Sequence, residues 1–448
     1  MQHYIKSITT FFLFCCAATF SISAQRVYNP EGSPDPEYGT NGYAVSAGIS
    51  ELVAVGNVVL ADGSVVLAYS NPLRTAMVVS KIQPGGHPKP TFGNEGYAVF
   101  DLPGDQIPIA AAVQPDGKLL VAGYSYEGNF FRSDFFLMRL NASGGLDPSF
   151  GSGGFAVLDF TPPGGTGVIS NDRATVLAVR PDGKIVLGGV SDRYIDINVR
   201  SDSYFTFAQV SAGGALDNSF GSGGFVQIPI GANRVNGGVG TPDAYGTLDS
   251  SGRFTASVRV ERQNPTVPDQ YDPKVVLLRI RENGFLDADF LNGGAADFTQ
   301  NQFPGSYILK EAMPCHLLVL AGQMLLRLND DGSIDENFGN GGRVSLPQSN
   351  TFGSGIAVDA GGKIVVSATE FGTGSTGGSR GLLWRYWPNG APDIKFGQNG
   401  RAVIDPGYRI NFAIAGRFPG TYLLGLGGVP DFQQPRVLVL RLFSSRKR

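Results

Sequence analysis

The chain has 448 residues, with 35 Lys and Arg against 38 Asp and Glu, a formal charge of −3. That balance gives no case for nucleic acid or an anionic membrane surface as partner. Gly at 63, Pro at 28 and only 16% charged residues suit an exported all-β protein, and the three Cys cannot build a disulfide framework, since Cys15 and Cys16 sit near the N-terminus and leave Cys315 alone.

In chain order, residues 1–24 stand apart. Lys6 is followed by an apolar run from Ile8 to Phe20 and by the small residues Ser21 to Ala24. This pattern is that of a secretory signal peptide, and it predicts export to the periplasm, the cell surface or the medium. Lipoprotein anchoring ranks behind it, because Phe14 precedes Cys15 where lipid attachment wants a small residue. No later segment is a candidate transmembrane span. Residues 25–448 then read as one domain of repeats.

The repeat is a phrase: a Gly, five residues, an aromatic, then usually Gly-x-x-Gly. Its aromatics are Tyr38, Phe92, Phe150, Phe220, Phe290, Phe338 and Phe396. They recur about every 60 residues, a period that means a closed or stacked array of like units. Between phrases, Ile109-Ala-Ala-Ala-Val-Gln predicts a short strand, and Pro115-Asp-Gly-Lys a tight turn in which Gly117 takes positive φ. Lys118 to Gly123 and Phe135 to Leu140 are the next strands, and Phe155 to Asp159, after the phrase, the last. Four antiparallel strands per unit predict an all-β, seven-bladed β-propeller. The first phrase has one strand after it, at Tyr43, and the last has three, so the N-terminal strand is expected to close the last blade and remove the free edges.

Gly144-Gly-Leu-Asp-Pro-Ser-Phe-Gly-Ser-Gly-Gly, its counterpart at 214–224 and Gln114-Pro-Asp-Gly-Lys resemble the delta-60 repeat, a bacterial repeat family. The resemblance covers nearly all of residues 32–448. It implies a β-propeller and carries no general activity. The unit around Phe290 and the turn at Cys315 depart from the pattern.

An Asp stands three residues before most of the aromatics: Asp35, Asp147, Asp217, Asp287, Asp335 and Asp393, with Lys89 in the second copy. A ring of metal or acid sites would not tolerate Lys89 easily. The expectation is structural: the Asp caps one helical turn and the aromatic plugs the gap between blades. Each Asp-Gly turn offers one carboxylate, which is not a calcium loop. His87, His316 and Cys315 suggest neither a zinc site nor a Ser-His-Asp arrangement. No cofactor is expected. Asp101, Asp159, Asp297 and Asp405 end fourth strands, and strand-exit caps are the expected role.

Loop length carries more functional signal. The Asp-Gly turns and the phrases open on one face and repeat. The connections on the other face vary, among them Tyr124 to Asp134, Val190 to Tyr204 and Gly231 to Tyr245. Recognition is expected on the variable face. Its candidate ligand-binding residues are Tyr124, Tyr126, Arg173, Arg193, Tyr194, Arg234, Tyr245 and Tyr408, aromatic and Arg side chains suited to a glycan or a protein. The expected function is an exported, monomeric binding module. The alternatives are a carbohydrate- or lactone-active hydrolase with carboxylates at the channel mouth, and a structural part of a cell-surface assembly.

Overall fold

The computed structural model describes residues 35–443, apart from residues 36, 41, 46–55, 72–75, 103, 127–131, 162–168, 197–198, 231–243, 264–265, 267–270, 299–306, 312–314, 348–350, 360, 372–378, 405–409, 419–420 and 429–436. The signal-peptide segment, Arg234 and Tyr408 therefore lie outside the described residues.

All regular structure among the described residues is strand. β1 (Tyr43–Val45) belongs to a sheet completed at the other end of the chain. Sheet II holds β2 (Gly56–Val59), β3 (Val65–Ser70), β4 (Met77–Ile82) and β5 (Tyr97–Phe100). Sheet III holds eight strands. Its first half is β6 (Asp105–Val113), β7 (Leu119–Tyr126), β8 (Ser133–Leu140) and β9 (Phe155–Leu158). Its second half is β10 (Ile169–Val179), β11 (Ile185–Asp196), β12 (Val199–Val210) and β13 (Phe225–Pro229). Sheet IV is β14 (Ala244–Leu248), β15 (Phe254–Gln263), β16 (Tyr271–Ile280) and β17 (Ala295–Asp297). Sheet V is β18 (Tyr307–Glu311), β19 (Leu317–Ala321), β20 (Met324–Leu328) and β21 (Arg343–Ser345). Sheet VI is β22 (Thr351–Val358), β23 (Ile364–Phe371), β24 (Ser379–Tyr386) and β25 (Arg401–Ile404). Sheet I joins β26 (Ile410–Phe418), β27 (Thr421–Gly428) and β28 (Val437–Phe443) to β1, with Tyr43 opposite Leu440.

The architecture is an all-β propeller. β2, β6, β10, β14, β18, β22 and β26 each lie against the next, and β26 returns to β2. The count of seven separate four-stranded blades is corrected. Hydrogen bonding divides the described strands into six sheets, five of four strands and one of eight. The merger is local and polar. β10 runs parallel to β8 at Asn171 and Ser133, and the Ser133 hydroxyl donates to Asn171 Oδ1 at 2.6 Å and to the Asp172 carbonyl at 2.9 Å.

The phrase aromatics Tyr38, Phe92, Phe150, Phe220, Phe290, Phe338 and Phe396 are all fully buried. The residue after each of the first six aromatics clasps the neighbouring phrase through its backbone. Gly93 N donates to Ser143 O at 2.7 Å, Gly151 N to Gly213 O at 2.9 Å and Gly221 N to Asn283 O at 2.9 Å. Gly is required where chains approach this closely: a Cβ on Gly144, which has φ +89°, would stand 2.9 Å from Gly93 N and 3.1 Å from the Phe92 ring.

Candidate functional site

On the face that carries the repeated turns, Asp35, Asp147, Asp217, Asp335 and Asp393 each accept the backbone N–H two residues on, the capping contact expected of them, around a single turn rather than a longer helix. Asp147 Oδ1 accepts from Ser149 N at 3.1 Å, and its other oxygen meets Lys118 and Arg139, both at 2.9 Å. The Arg139 guanidinium lies over the Phe150 ring, 4.6 Å from its centroid. The same trio recurs as Asp287, Arg279 and Phe290, as Asp335, Arg327 and Phe338, as Asp393, Arg385 and Phe396, and as Asp35, Arg441 and Tyr38. In the second phrase, Lys81 stands in the Arg position and Lys89 in the Asp position, so both halves of the pair change together. Hydrogen bonds from Lys118 and Ser149 hold the Asp147 carboxyl well below the usual range, and those from Ser219 and Lys184 do the same for Asp217. Burial pushes Asp393 up, but the Lys363 ammonium and Arg385 overcome it and the carboxyl ends below its usual range. These acids are neutralised parts of a scaffold. Sequence reasoning found the Asp but missed its partner. The signal was there: an Arg eight residues before the Asp, at Arg139, Arg279, Arg327 and Arg385.

On the opposite face, at the junction inside sheet III, another acid cluster has a different environment. Asp134 comes from β8, Asp159 from the exit of β9 and Asp172 from β10, and one carboxylate oxygen of each lies within 4.8 Å of the others. This is the group among the described residues whose geometry could hold a metal ion. Asp172 is fully buried. It accepts from Ser170 Oγ at 2.7 Å and from the Phe160 backbone N at 3.0 Å, with Ser191 a further donor. Burial raises its carboxyl to about 6, against the pull of these neutral donors, and the nearby Asp159 raises it further. Beside it, Arg173 Nη2 meets the buried Asp192 at 3.0 Å, and the Ser203 hydroxyl donates to Asp192 Oδ1 at 2.6 Å.

The expected ligand-binding residues fall differently. Arg173 lies on β10 and Arg193 on β11, with side chains on opposite sides of sheet III. The Arg193 guanidinium stacks 4.3 Å from the Tyr204 ring centroid and donates to Gln227. Tyr194 is half-buried on β11, opposite Ile169. Tyr124 and Tyr126 pack edge to face at 5.5 Å and are buried with Ile107. Tyr245 is half-buried in sheet IV, away from the cluster. Much of the span from Val190 to Tyr204 is not loop but an extension of β11 and β12, paired out to Asp196 and Val199 with register shifts after Arg193 and after Tyr194. Asp134 and Asp172 were not singled out from sequence, because only the parallel contact of β8 with β10 brings them together.

The departure at Cys315 is also visible. Cys315 is exposed at φ +74°, and His316 Nε2 lies 3.4 Å from Asp335. Both line a small cavity with Arg253, Arg279, Asp249 and Asp330. Among the described residues no helix is long and apolar enough to cross a membrane, which says nothing of a β-barrel.

A domain of unknown function described as a beta-propeller (DUF5122) matches residues 114–150. No curated protein matches the chain. Among solved structures, the chain is similar to the alpha-L-arabinofuranosidase Arb93A of Fusarium graminearum, at 12% identity and TM-score 0.42, over 92% of this chain and 97% of that one. It is similar to a protein of unknown function from Dyadobacter fermentans, at 10% identity and TM-score 0.43, over 75% and 94%. It is also similar to the gluconolactonase XC5397 of Xanthomonas campestris, at 12% identity and TM-score 0.34, over 76% and 95%. Likenesses this distant carry no argument about activity.

Proposed function

We propose that this chain is an exported β-propeller binding module of the delta-60 repeat type, taking a glycan or protein ligand on the face of variable connections, around the junction inside sheet III. One observation carries this reading. The repeated face is closed by neutralised Asp and Arg pairs, whereas towards the opposite face sheet III carries the acid cluster, the Arg193–Tyr204 stack on the Asp172 side of the sheet and the Arg173–Asp192 pair on its other side. Stacked Arg and Tyr with flanking hydroxyls suit a polar ligand. A hydrolase needs two accessible carboxylates in acid and base roles. Of the three clustered acids only Asp159 is exposed, so binding is the better reading.

The test is the melting temperature of residues 25–448 against glycans, peptidoglycan fragments and calcium, with a chelator control. A ligand at a hundredfold excess over Kd stabilises by about 2.7 kcal/mol. Arg193→Glu should weaken whatever binds, and unchanged affinity would overturn the assignment to this face. Export is tested separately: a mature N-terminus at Gln25 in the secreted or periplasmic fraction supports it, and an unprocessed chain in the cytoplasm refutes it.

A further inference from the structure

One phrase breaks the Asp–Arg–aromatic rule in a way that leaves a space. In the second half of sheet III the Arg position is Gln209, eleven residues before Phe220, as Arg139 is eleven before Phe150. Arg139 donates to Ser149 Oγ at 3.0 Å and to the Ala212 carbonyl of the neighbouring phrase. Gln209 is too short to do either. Its Nε2 donates to Asp217 at 2.9 Å, and Lys184 meets the same carboxylate at 3.0 Å. The remaining oxygen, Gln209 Oε1, is buried without a hydrogen-bond partner, on a side chain only 3% exposed. A buried acceptor left unmade costs about 1–3 kcal/mol.

The bond to the neighbouring phrase is restored from elsewhere. Arg180, in the first turn, donates to the Glu282 carbonyl at 3.3 Å and to the Gly252 carbonyl at 2.5 Å. Glu282 holds the place of Ala212, two residues before the phrase Gly. The first half of sheet III pairs Gln114 in its turn with Arg139 in its third strand, and the second half pairs Arg180 with Gln209. The exchange keeps the backbone clasp but moves the guanidinium. Beside Gln209 lies a cavity of about 380 Å³, lined by Lys184, Gln209, Ser219, Arg281, Glu282 and Asn283.

The geometry points to a binding site for an external guanidinium in this cavity, on the face opposite the ligand face proposed above. Gln209 Oε1, Ser219 Oγ and the Glu282 carboxylate are its acceptors. Lys184 is already engaged by Asp217, Arg281 by Asp287 and Asp289 at 3.1 Å each, and the exposed Glu282 carboxylate faces Arg180 Nη1 at 3.9 Å, far enough to accept a further donor. A planar, weakly hydrated guanidinium with several donors fits such a neutralised slot better than an ammonium, which is strongly hydrated. The group could arrive as a free guanidino compound or as an Arg side chain of a peptide.

The experiment titrates full-length mature protein with agmatine, with a blocked Arg dipeptide and with butylammonium as the control, followed by calorimetry. Saturable binding of either guanidino probe, at least roughly tenfold tighter than butylammonium, is the expected result, one lost good hydrogen bond being worth about that factor. Which guanidino probe binds tighter distinguishes the free compound from the peptide. Gln209→Arg should fill the cavity, abolish binding and raise the melting temperature. Gln209→Leu should abolish binding with the cavity still open. Equal binding of butylammonium, no guanidino binding, or binding that survives Gln209→Arg in a folded protein would each overturn the site.

Discussion

Asp147 and Asp172 are the same residue type at opposite ends of the strands of sheet III, and their surroundings push them in opposite directions. Asp147 sits between Lys118 and Arg139 and is held ionised. Asp172 is buried among neutral donors and a second acid and is pushed up to about 6. The repeated face spends its carboxylates on fastening each phrase to a cation. The variable face keeps a carboxylate that burial discourages from ionising. The signs of their pH dependence differ accordingly. Asp147, Asp217, Asp287, Asp335 and Asp393, with lowered pKa, contribute stability above the ordinary carboxylate range, and it is lost as pH falls through their folded values. Asp172 binds its proton more tightly when folded, so its effect is a loss of stability as pH rises from about 4 to about 6, flat above that.

The largest expected effect breaks a scaffold pair. Arg385 Nε and Asp393 Oδ2 are 2.8 Å apart, with both side chains 2% exposed. Arg385→Met leaves the buried Asp393 carboxylate to Lys363 alone, at 2.8 Å, and should cost about 1.5–3 kcal/mol in urea unfolding, whereas Arg385→Met with Asp393→Leu should recover part of it. A double variant no better than the single would show that the pair is not coupled.

Next comes Asp172→Asn. Two pKa units correspond to about 3 kcal/mol, so the substitution should remove up to that much of the stability decline between pH 4 and 6 and leave the acid limb below pH 4 unchanged. Unfolding curves at pH 4, 5, 6 and 7 read this directly. A wild type with no decline across the window would mean that Asp172 is ordinary.

Two glycines of similar φ separate conformational strain from close packing. Gly117 has φ +85° and open space around a would-be Cβ, whereas Gly144 at φ +89° meets the Gly93 backbone. Gly117→Ala should cost about 1 kcal/mol from φ alone, and Gly144→Ala at least about 1 kcal/mol more. Equal losses would remove the clasp from the account of how phrases join. The smallest effect is a gain: Cys315→Gly relieves a positive φ at an exposed turn and should stabilise by about 1 kcal/mol or less in thermal unfolding.

Some of this was legible before any coordinates. The phrase spacing gave the strands, the buried aromatics and the turn glycines, because turn φ and apolar alternation are local properties. It took Arg173 and Arg193 for residues of the variable loops, whereas both lie on paired strands, β10 and β11. It read the Asp as a cap, which its bond to the backbone N–H two residues on matches, but missed the Arg eight residues before it as partner. It counted seven separate blades and could not see Ser133 and Asn171 joining two of them, a contact between residues 38 apart.

By itself, then, the sequence determined the repeat, its strands and the two kinds of face, all of which follow from short-range propensity and periodic burial. Only the tertiary structure decided how many sheets there are, which acids are neutralised and which are crowded together, and where Gln209 leaves a space. Those depend on electrostatics and volume between strands far apart in the chain, where one hydrogen bond at Ser133 or one shortened side chain at Gln209 changes the outcome.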